Sequence, residues 1–559
     1  MKSIRPFIAF KMIRGKGIKM KTLFIVPYLK NMLESMEEIG ISSIAAYIRR
    51  EGYEVNIISK SSDTLDYDLI ASYSPDIIGF PVYDITKESV YQIIHQVKQK
   101  LPTVAICCGG AEATHNYKKM MDEEPQLDYI IRGEGEQSFL QLLYAIEGKC
   151  QLNDVGGLVF RNATKVVVNV TLPPIQNLDS LPCPARDILR DNKLNIAQIS
   201  SSRGCTARCG FCSSQLFWKK WRGRSVNEII NEIKQIVDQY DVRNFTFIDS
   251  SFEDPGINSG RMKELVTEII RNNLKIAYCA DVRGDFCKYA DEEHVKLLKQ
   301  SGLVFVMIGV EAGNDEDLKI YNKKATMEEN MKTIDRFKKH DISIKYGFIN
   351  FNPYSTLDKL RKNIDFLRHV GQVYNIECIA TKLMPYRGTE LTKKILEDHL
   401  SIEREEKLEY RFMDKRIEDL CQYIMRYMRT HQEASSAFRK IRYFNPYFIG
   451  TINACKHLFN LLPFAEVREI VLEYEANEMK TILSMCNELN QRTGEWAHSL
   501  INLCEIGWDQ NQADAYTQQF LPIGLLNSSA DKIIHSRNSL LMKMIRENAF
   551  CSQYIVRVN

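Results

Sequence analysis

The stretch IAQISSSRGCTARCGFC, Ile196–Cys212, sets a short run of apolar and small residues directly before three cysteines in the spacing C-x3-C-x2-C. Its first seven residues read as a strand, and Arg203 and Gly204 break the pattern before the cysteines begin. Five further strand-like runs follow: FTFIDSS (245–251), IAYCADV (276–282), FVMIGVEAG (305–313), ISIKYGFINF (342–351) and IECIATKL (376–383). Helical patterns separate them at intervals of roughly 30 residues, which predicts an open or partial (β/α)6 barrel over residues 189–400 rather than a complete eightfold one.

Upstream, TLFIVPY (22–28), EVNIIS (54–59), DIIGFPVY (76–83), TVAICCGG (103–110) and DYIIRGEGE (128–136) alternate with helical stretches. Continuous apolar runs at this spacing predict a doubly wound, Rossmann-like α/β domain over residues 21–150, with a parallel sheet covered on both faces. Residues 151–188 read as a hairpin, GGLVFRNATKVVVN (156–169), followed by the stiff linker NLDSLPCPAR (177–186). Residues 401–559 read as a helical C-terminal domain containing the aromatic cluster YFNPYF (443–448). Residues 1–20 carry six basic and no acidic side chains around a short apolar stretch, and read as a basic leader or as an extension ahead of a true start at Met20.

With 559 residues the chain exceeds one hydrophobic core. Its 74 basic and 71 acidic residues nearly cancel, so charge gives no reason to expect nucleic acid or an anionic membrane as partner. No segment has the uninterrupted apolar length of a transmembrane helix. Fifteen scattered cysteines, an odd number with no secretory signal, suit a reducing cytoplasm. Those without ligand spacing, such as Cys107, Cys108, Cys421, Cys455, Cys486, Cys504 and Cys551, are expected as small buried hydrophobes.

Cys205, Cys209 and Cys212 fall within eight residues, close enough to wrap a soft metal centre. A closed zinc site needs four protein ligands, and no fourth stands nearby: Cys183 and Cys279 are distant, and no His lies between His115 and His294. A cubane iron-sulfur cluster held by three cysteines leaves one iron open to a further ligand, which makes it a chemical site. Zinc and free thiols are the alternatives.

The triplet, with Phe211 before its last cysteine and a partial barrel around it, resembles the radical S-adenosylmethionine (radical SAM) superfamily. The resemblance implies that Cys205, Cys209 and Cys212 hold a 4Fe-4S cluster, whose open iron binds SAM and whose electron cleaves it to methionine and a 5′-deoxyadenosyl radical. It also implies SAM contacts near Phe211 and at the carboxyl ends of the barrel strands, where Asp249, Ser250, Arg283 and Glu311 stand. Arg283 is the candidate for a two-pronged pair with the SAM carboxylate and Glu311 for an acceptor from ribose or amino groups. The fifth strand, YGFINFNPYST, lacks the glycine-rich turn many members show.

A doubly wound domain ahead of such a barrel resembles the cobalamin-binding branch of that superfamily. Gly109 and Gly110 after the fourth strand, and Glu134 and Gly135 after the fifth, mark where open α/β sheets take ligands, although a tight turn explains each pair equally well. Glu134 and Glu136 oppose an anion at the helix that follows. The loop Pro27–Gly40 contains no His, so a corrinoid would be bound without a histidine below cobalt.

The resemblance implies a cobalamin-dependent methyltransferase acting on an unactivated centre of a small metabolite, a peptide or a lipid precursor, with a one-electron reductant such as flavodoxin or ferredoxin as partner. A cobalamin-binding radical SAM cyclase or rearrangement enzyme without methyl transfer is one alternative. An iron-sulfur redox sensor or scaffold is another.

Overall fold

The computed structural model describes residues 19–28, 36–162, 165–255, 260–404, 407–443, 447–462 and 465–547. Most of the basic leader, the middle of the Pro27–Gly40 loop, the centre of the YFNPYF cluster and Cys551 lie outside them. The chain divides into two compact units, the first comprising residues up to Ser200 with Phe217–Glu228, the second Ser201–Leu216 with the residues from Ile229 onward.

In the first unit, strands β1 (Lys21–Tyr28), β2 (Glu54–Ser61), β3 (Ile77–Pro81), β4 (Ala105–Gly109) and β5 (Tyr129–Ile131) pair in parallel in the order β2-β1-β3-β4-β5. β1 and β3 are buried along nearly their whole length, as strands covered on both faces must be. Helix Ile39–Arg50 buries Ile41, Ala45 and Ile48, and helix Lys87–Lys100 buries Val90, Ile93, Ile94 and Val97, each a stripe of helical period. The predicted hairpin forms β6 (Leu158–Asn162) and β7 (Lys165–Val168), and it extends this same sheet antiparallel to β5. A further strand, β8 (Ile196–Ile199), precedes the cysteine loop.

The second unit contains the parallel strands β9 (Asn244–Phe247), β10 (Ala277–Arg283), β11 (Leu303–Glu311) and β12 (Ser343–Phe348), paired in that order. Alternate side chains settle which face is which. Tyr278, Ala280 and Val282 of β10 are buried toward the outer helices, with Tyr278 Oη 2.7 Å from Ser301 Oγ. Cys279, Asp281 and Arg283 therefore line the concave face. Val306, Ile308 and Val310 of β11 and Ile344, Tyr346 and Phe348 of β12 point outward in the same way. Thr326 and Glu329 form a reciprocal cap at helix Met327–Lys339, and Thr356 caps helix Leu357–His369.

The sixth barrel strand expected from IECIATKL is not formed. Ile376–Ala380 is a short helix that buries Ile376, Cys378 and Ile379, and extended pairing survives as one bridge between Phe351 and Lys382. A short apolar run fits either structure, and burial decided. The region after 400 opens with an antiparallel ladder, Ser401–Arg404 against Lys407–Tyr410, before becoming helical. Helix Ile449–Leu461 packs under β10, β11 and β12, with Gly450 against Phe305 and Asn453 Nδ2 donating to the Asp341 carbonyl at 2.9 Å. The 42-residue helix Ala465–Ile506 runs along helix Leu357–His369. There Asn490 donates to the Arg368 carbonyl and accepts from the Val373 amide, and Gly494 lets the two helices approach at Arg368.

Candidate active site

The cysteine loop is fixed by backbone contacts from distant parts of the second unit. The Gly210 amide donates to the Tyr321 carbonyl at 2.7 Å, and the Leu391 amide donates to the Gly210 carbonyl at 2.8 Å. Asn322 Nδ2 holds the Arg208 carbonyl at 2.9 Å, and Gln215 Nε2 holds that of Ala207 at 2.6 Å. Phe211 lies edge-on to the Tyr321 ring, centroids 5.5 Å apart. The Ala207 amide donates to Cys205 Sγ at 3.4 Å, the kind of N–H···S contact that stabilises a thiolate. All three thiols are free and partly buried. Burial pushes the Cys205 thiol up, and pushes Cys209 up to about 11 despite the pull of Lys323.

Around this loop stand charged side chains held by one another. Lys323 Nζ is 2.9 Å from Glu311 Oε1, and both side chains are largely buried. Burial opposes the charge on Lys323, but Glu311 and the nearby Cys209 outweigh it and hold its pKa above the ordinary lysine value. Glu311 has a left-handed backbone, φ 68°, at a register shift between β11 and β12. Such a conformation costs a glutamate on the order of 1 kcal/mol and is tolerated where the surroundings impose it. A side chain at Gly309 would strike this ion pair, with Glu311 Oε1 at 2.8 Å and Lys323 Nζ at 2.9 Å from its Cβ.

The guanidinium of Arg283 makes its two-pronged pair with Asp285, Nε to Oδ1 and Nη2 to Oδ2 at 2.8 Å each, so that fork is spent inside the protein. Its amide donates to Glu253 Oε1 at 2.9 Å. Asp249 is buried and accepts from the Ser202 amide and from Ser202 Oγ at 2.6 Å, bracing the chain just ahead of the cysteines. Ser250 is exposed. Glu253 was not singled out in the sequence; burial pushes its carboxyl up to about 7 against the pull of Arg283, and its Oε2 has no hydrogen-bond partner. Ser251 Oγ is likewise buried without a partner. Lys323 also lay outside every motif.

These residues fit the groups implied by the triplet. Among the described residues no three His, Cys, Asp or Glu side chains converge closely enough to hold a single metal ion. A cubane spreads its thiolates over separate corners, which three cysteines on one short loop supply. The orphaned oxygens of Ser251 and Glu253, a hydroxyl and a carboxyl acceptor, suit the amino and hydroxyl groups of SAM.

At the carboxyl end of the first sheet, Gly110 has φ 96° and lies against the Val82 backbone, a place only glycine takes without strain. A Cβ at Gly109 would make ordinary contact with the Ile131 carbonyl at 3.8 Å, and one at Gly133 would meet nothing within 4 Å. Gly135 instead lets its helix close on Ile44, which is packing. Glu134 pairs with Arg222 at 2.9 Å and accepts from the Ile175 amide at 2.6 Å, while Glu136 accepts from Ser43 Oγ at 2.8 Å. The two glutamates expected to repel an anion are therefore engaged internally. Arg222 Nε and Nη2 are buried donors without an acceptor, packed beside Trp218. The bare backbone at Gly109, Gly110 and Gly133 fits a flat ligand such as cobalamin laid against the sheet edge.

Residues 199–367 match the model of the radical SAM superfamily, and residues 26–143 match that of the B12 binding domain. The chain is 27% identical over 396 residues to an uncharacterized methyltransferase of Pyrococcus horikoshii, covering 68% of this chain and 84% of that protein. It is 29% identical over 326 residues to an anaerobic magnesium-protoporphyrin IX monomethyl ester cyclase of Rubrivivax gelatinosus, covering 55% of this chain and 58% of the cyclase. In fold it is similar to the cobalamin-dependent SAM radical enzyme OxsB with aqua-cobalamin bound, at TM-score 0.71 and 18% identity, over 95% of this chain and 81% of that one. Among the described residues no helix is long and apolar enough to cross a membrane. The chain carries a radical SAM domain with a B12-binding domain ahead of it.

Proposed function

We propose that the protein is a cobalamin-dependent radical SAM methyltransferase, acting on an unactivated centre of a small molecule or peptide. The observation that carries this reading is the presence in one chain of a three-cysteine loop braced over charged barrel strand ends and a B12-type sheet edge cleared by Gly109, Gly110 and Gly133. When bound, the cluster supplies the electron that splits SAM, and the corrinoid supplies a methyl carrier. Cys205, Cys209 and Cys212 hold the cluster, with the Ala207 amide supporting the first thiolate. The pair Glu311–Lys323 and the unpartnered oxygens of Ser251 and Glu253 orient SAM, while Asp249 and the Arg283–Asp285 pair keep the strand ends in place. No protein base is assigned. The reductant is a low-potential one-electron carrier of the flavodoxin or ferredoxin kind, and the free thiols of the described cysteines suit the cytoplasm.

The test is electron paramagnetic resonance on anaerobic, iron-sulfide-reconstituted protein, incubated with hydroxocobalamin, desalted, and reduced with and without SAM. A reduced cluster signal perturbed by SAM beside a stoichiometric cob(II)alamin signal is the expected result. A cluster indifferent to SAM overturns the reading. The similarity to the cyclase keeps a second reading, ring formation without methyl transfer; release of S-adenosylhomocysteine during turnover separates the two.

A further inference from the structure

The concave face of the barrel is layered by strand register. Thr246 pairs with Cys279, Cys279 with Phe305 and Phe305 with Ser343, making a lower tier. Asp281 pairs with Met307 and Met307 with Lys345, making a middle tier. Arg283 pairs with Gly309 and Gly309 with Gly347, making the tier nearest the cysteines. In-register neighbours on parallel strands point the same way, so Asp281, Met307 and Lys345 present one row of side chains to the interior.

The tiers differ in what their polar groups do. In the upper one Arg283 is committed to Asp285, and the two glycines leave space. In the lower one Cys279 Sγ lies 3.2 Å from Thr246 Oγ1, and Phe305 stacks on Tyr447. In the middle tier neither Asp281 nor Lys345 makes a side-chain hydrogen bond or an ion pair with any described residue, although their charges sense each other. Lys345 is exposed in the middle of a barrel strand, touching Tyr447 by its ring face at 5.3 Å. A row with one carboxylate and one ammonium, neither hydrogen-bonded nor ion-paired to a described residue and separated by an apolar thioether, is a polar pair open to a ligand.

We propose that this middle tier is the substrate-anchoring subsite and that it takes a zwitterion, with an ammonium group on Asp281 and a carboxylate on Lys345, as in a free amino acid. The inference rests on the reading above in taking the concave face as the substrate chamber. Charge selects this class. A phosphate dianion facing one lysine and one carboxylate is left undercompensated, and a hydrocarbon buries two charges with no partner. Two strands apart means about 10 Å between backbones, which an amino acid with a hydrogen bond of about 2.8 Å at each pole spans once the two side chains reach inward. Phe305 and Tyr447 form an aromatic floor against which its side chain packs.

The experiment titrates the holoenzyme, with cluster, cobalamin and SAM bound, with the twenty common L-amino acids by calorimetry and thermal shift, beside Lys345→Met and Asp281→Asn. At least one amino acid is expected to bind saturably, with its methyl ester and its N-acetyl form each at least tenfold weaker. Lys345→Met is expected to weaken the free amino acid about tenfold and leave the methyl ester unchanged, and Asp281→Asn to do the same with respect to the N-acetyl form. The proposal is overturned if no amino acid binds, if the blocked forms bind as well as the free one, or if both variants bind like the wild type. A variant that does not fold leaves the decision to the blocked-ligand series on the wild type. Cluster perturbation by SAM is recorded on the same samples, so loss of the subsite with that signal intact is distinct from failure of the enzymatic reading.

Discussion

The carboxyl ends of the two parallel sheets are furnished in opposite ways. In the first unit the ends of β4 and β5 are stripped to backbone by Gly109, Gly110 and Gly133, and the nearby acids Glu134 and Glu136 are tied up by Arg222 and Ser43. In the second unit the strand ends carry buried charges locked in pairs, Lys323 with Glu311, Arg283 with Asp285 and Arg261 with Asp254. A bulky, nearly flat cofactor needs cleared backbone to lie against. A small charged ligand beside a cluster needs fixed charges in a dry setting, each held by a partner so that it does not relax when the ligand arrives.

The contrast can be broken most sharply at the cysteines. Cys209→Ala is expected to remove the cluster and lower SAM cleavage at least 100-fold, seen in iron content and 5′-deoxyadenosine release, while far-ultraviolet circular dichroism stays that of the wild type. Next in size is Lys323→Met, which strands the buried Glu311 carboxylate. It is expected to cost about 3–5 kcal/mol in urea unfolding, and adding Glu311→Gln should recover most of that loss, because the second change removes the unpaired charge. If the single variant is harmless, the charges of the second unit are not held as described.

Asp281→Asn tests the opposite sign. Burial, only partly offset by Lys345, raises the Asp281 carboxyl to about 6. A raised carboxyl weighs on the fold when ionised: the penalty is absent below about pH 4, where both states are protonated, and complete above about pH 6. The amide carries no such penalty, so the variant should be more stable by up to about 2 kcal/mol at pH 7 and equal to the wild type near pH 4, as read from paired melting curves.

The glycines of the first unit give the smallest effects on folding. Gly110→Ala forces a side chain into a left-handed conformation against Val82 and is expected to cost about 1–2 kcal/mol. Gly109→Ala meets only an ordinary contact and should change stability by less than about 0.5 kcal/mol. Cobalamin retention after desalting should nevertheless fall in both. Unchanged retention in Gly109→Ala would mean that its glycine serves the turn alone.

What the sequence disclosed follows the range of the interactions concerned. The cysteine triplet and the apolar runs are local patterns, and the two parallel sheets were legible from them. Lys323 reaches the cysteine loop only through tertiary folding, more than a hundred residues after Cys209 and from a stretch with no motif. Glu253 follows Asp249 in a run of acids, and nothing local says which of them is left unpartnered. Asp249 and Arg283 stand where strand-end ligands stand, but their immediate hydrogen bonds go to Ser202 and Asp285, which a sequence pattern does not reveal. Segment 376–383 carries β-branched residues that suit a strand, and burial of Ile376, Cys378 and Ile379 on one side of a helical turn overrode them.

The long helix Ala465–Ile506 bears on how such a protein can change over evolution. Because it covers the outer surface of helix Leu357–His369, and because Asn490 completes hydrogen bonds of Arg368 and Val373, the barrel's outer wall is finished by a segment more than a hundred residues downstream. A shuffling event that carried residues 201–400 alone into another chain would expose apolar wall and unpaired backbone. The C-terminal helices therefore travel with the barrel, and recombination is confined to exchanges that move the two together.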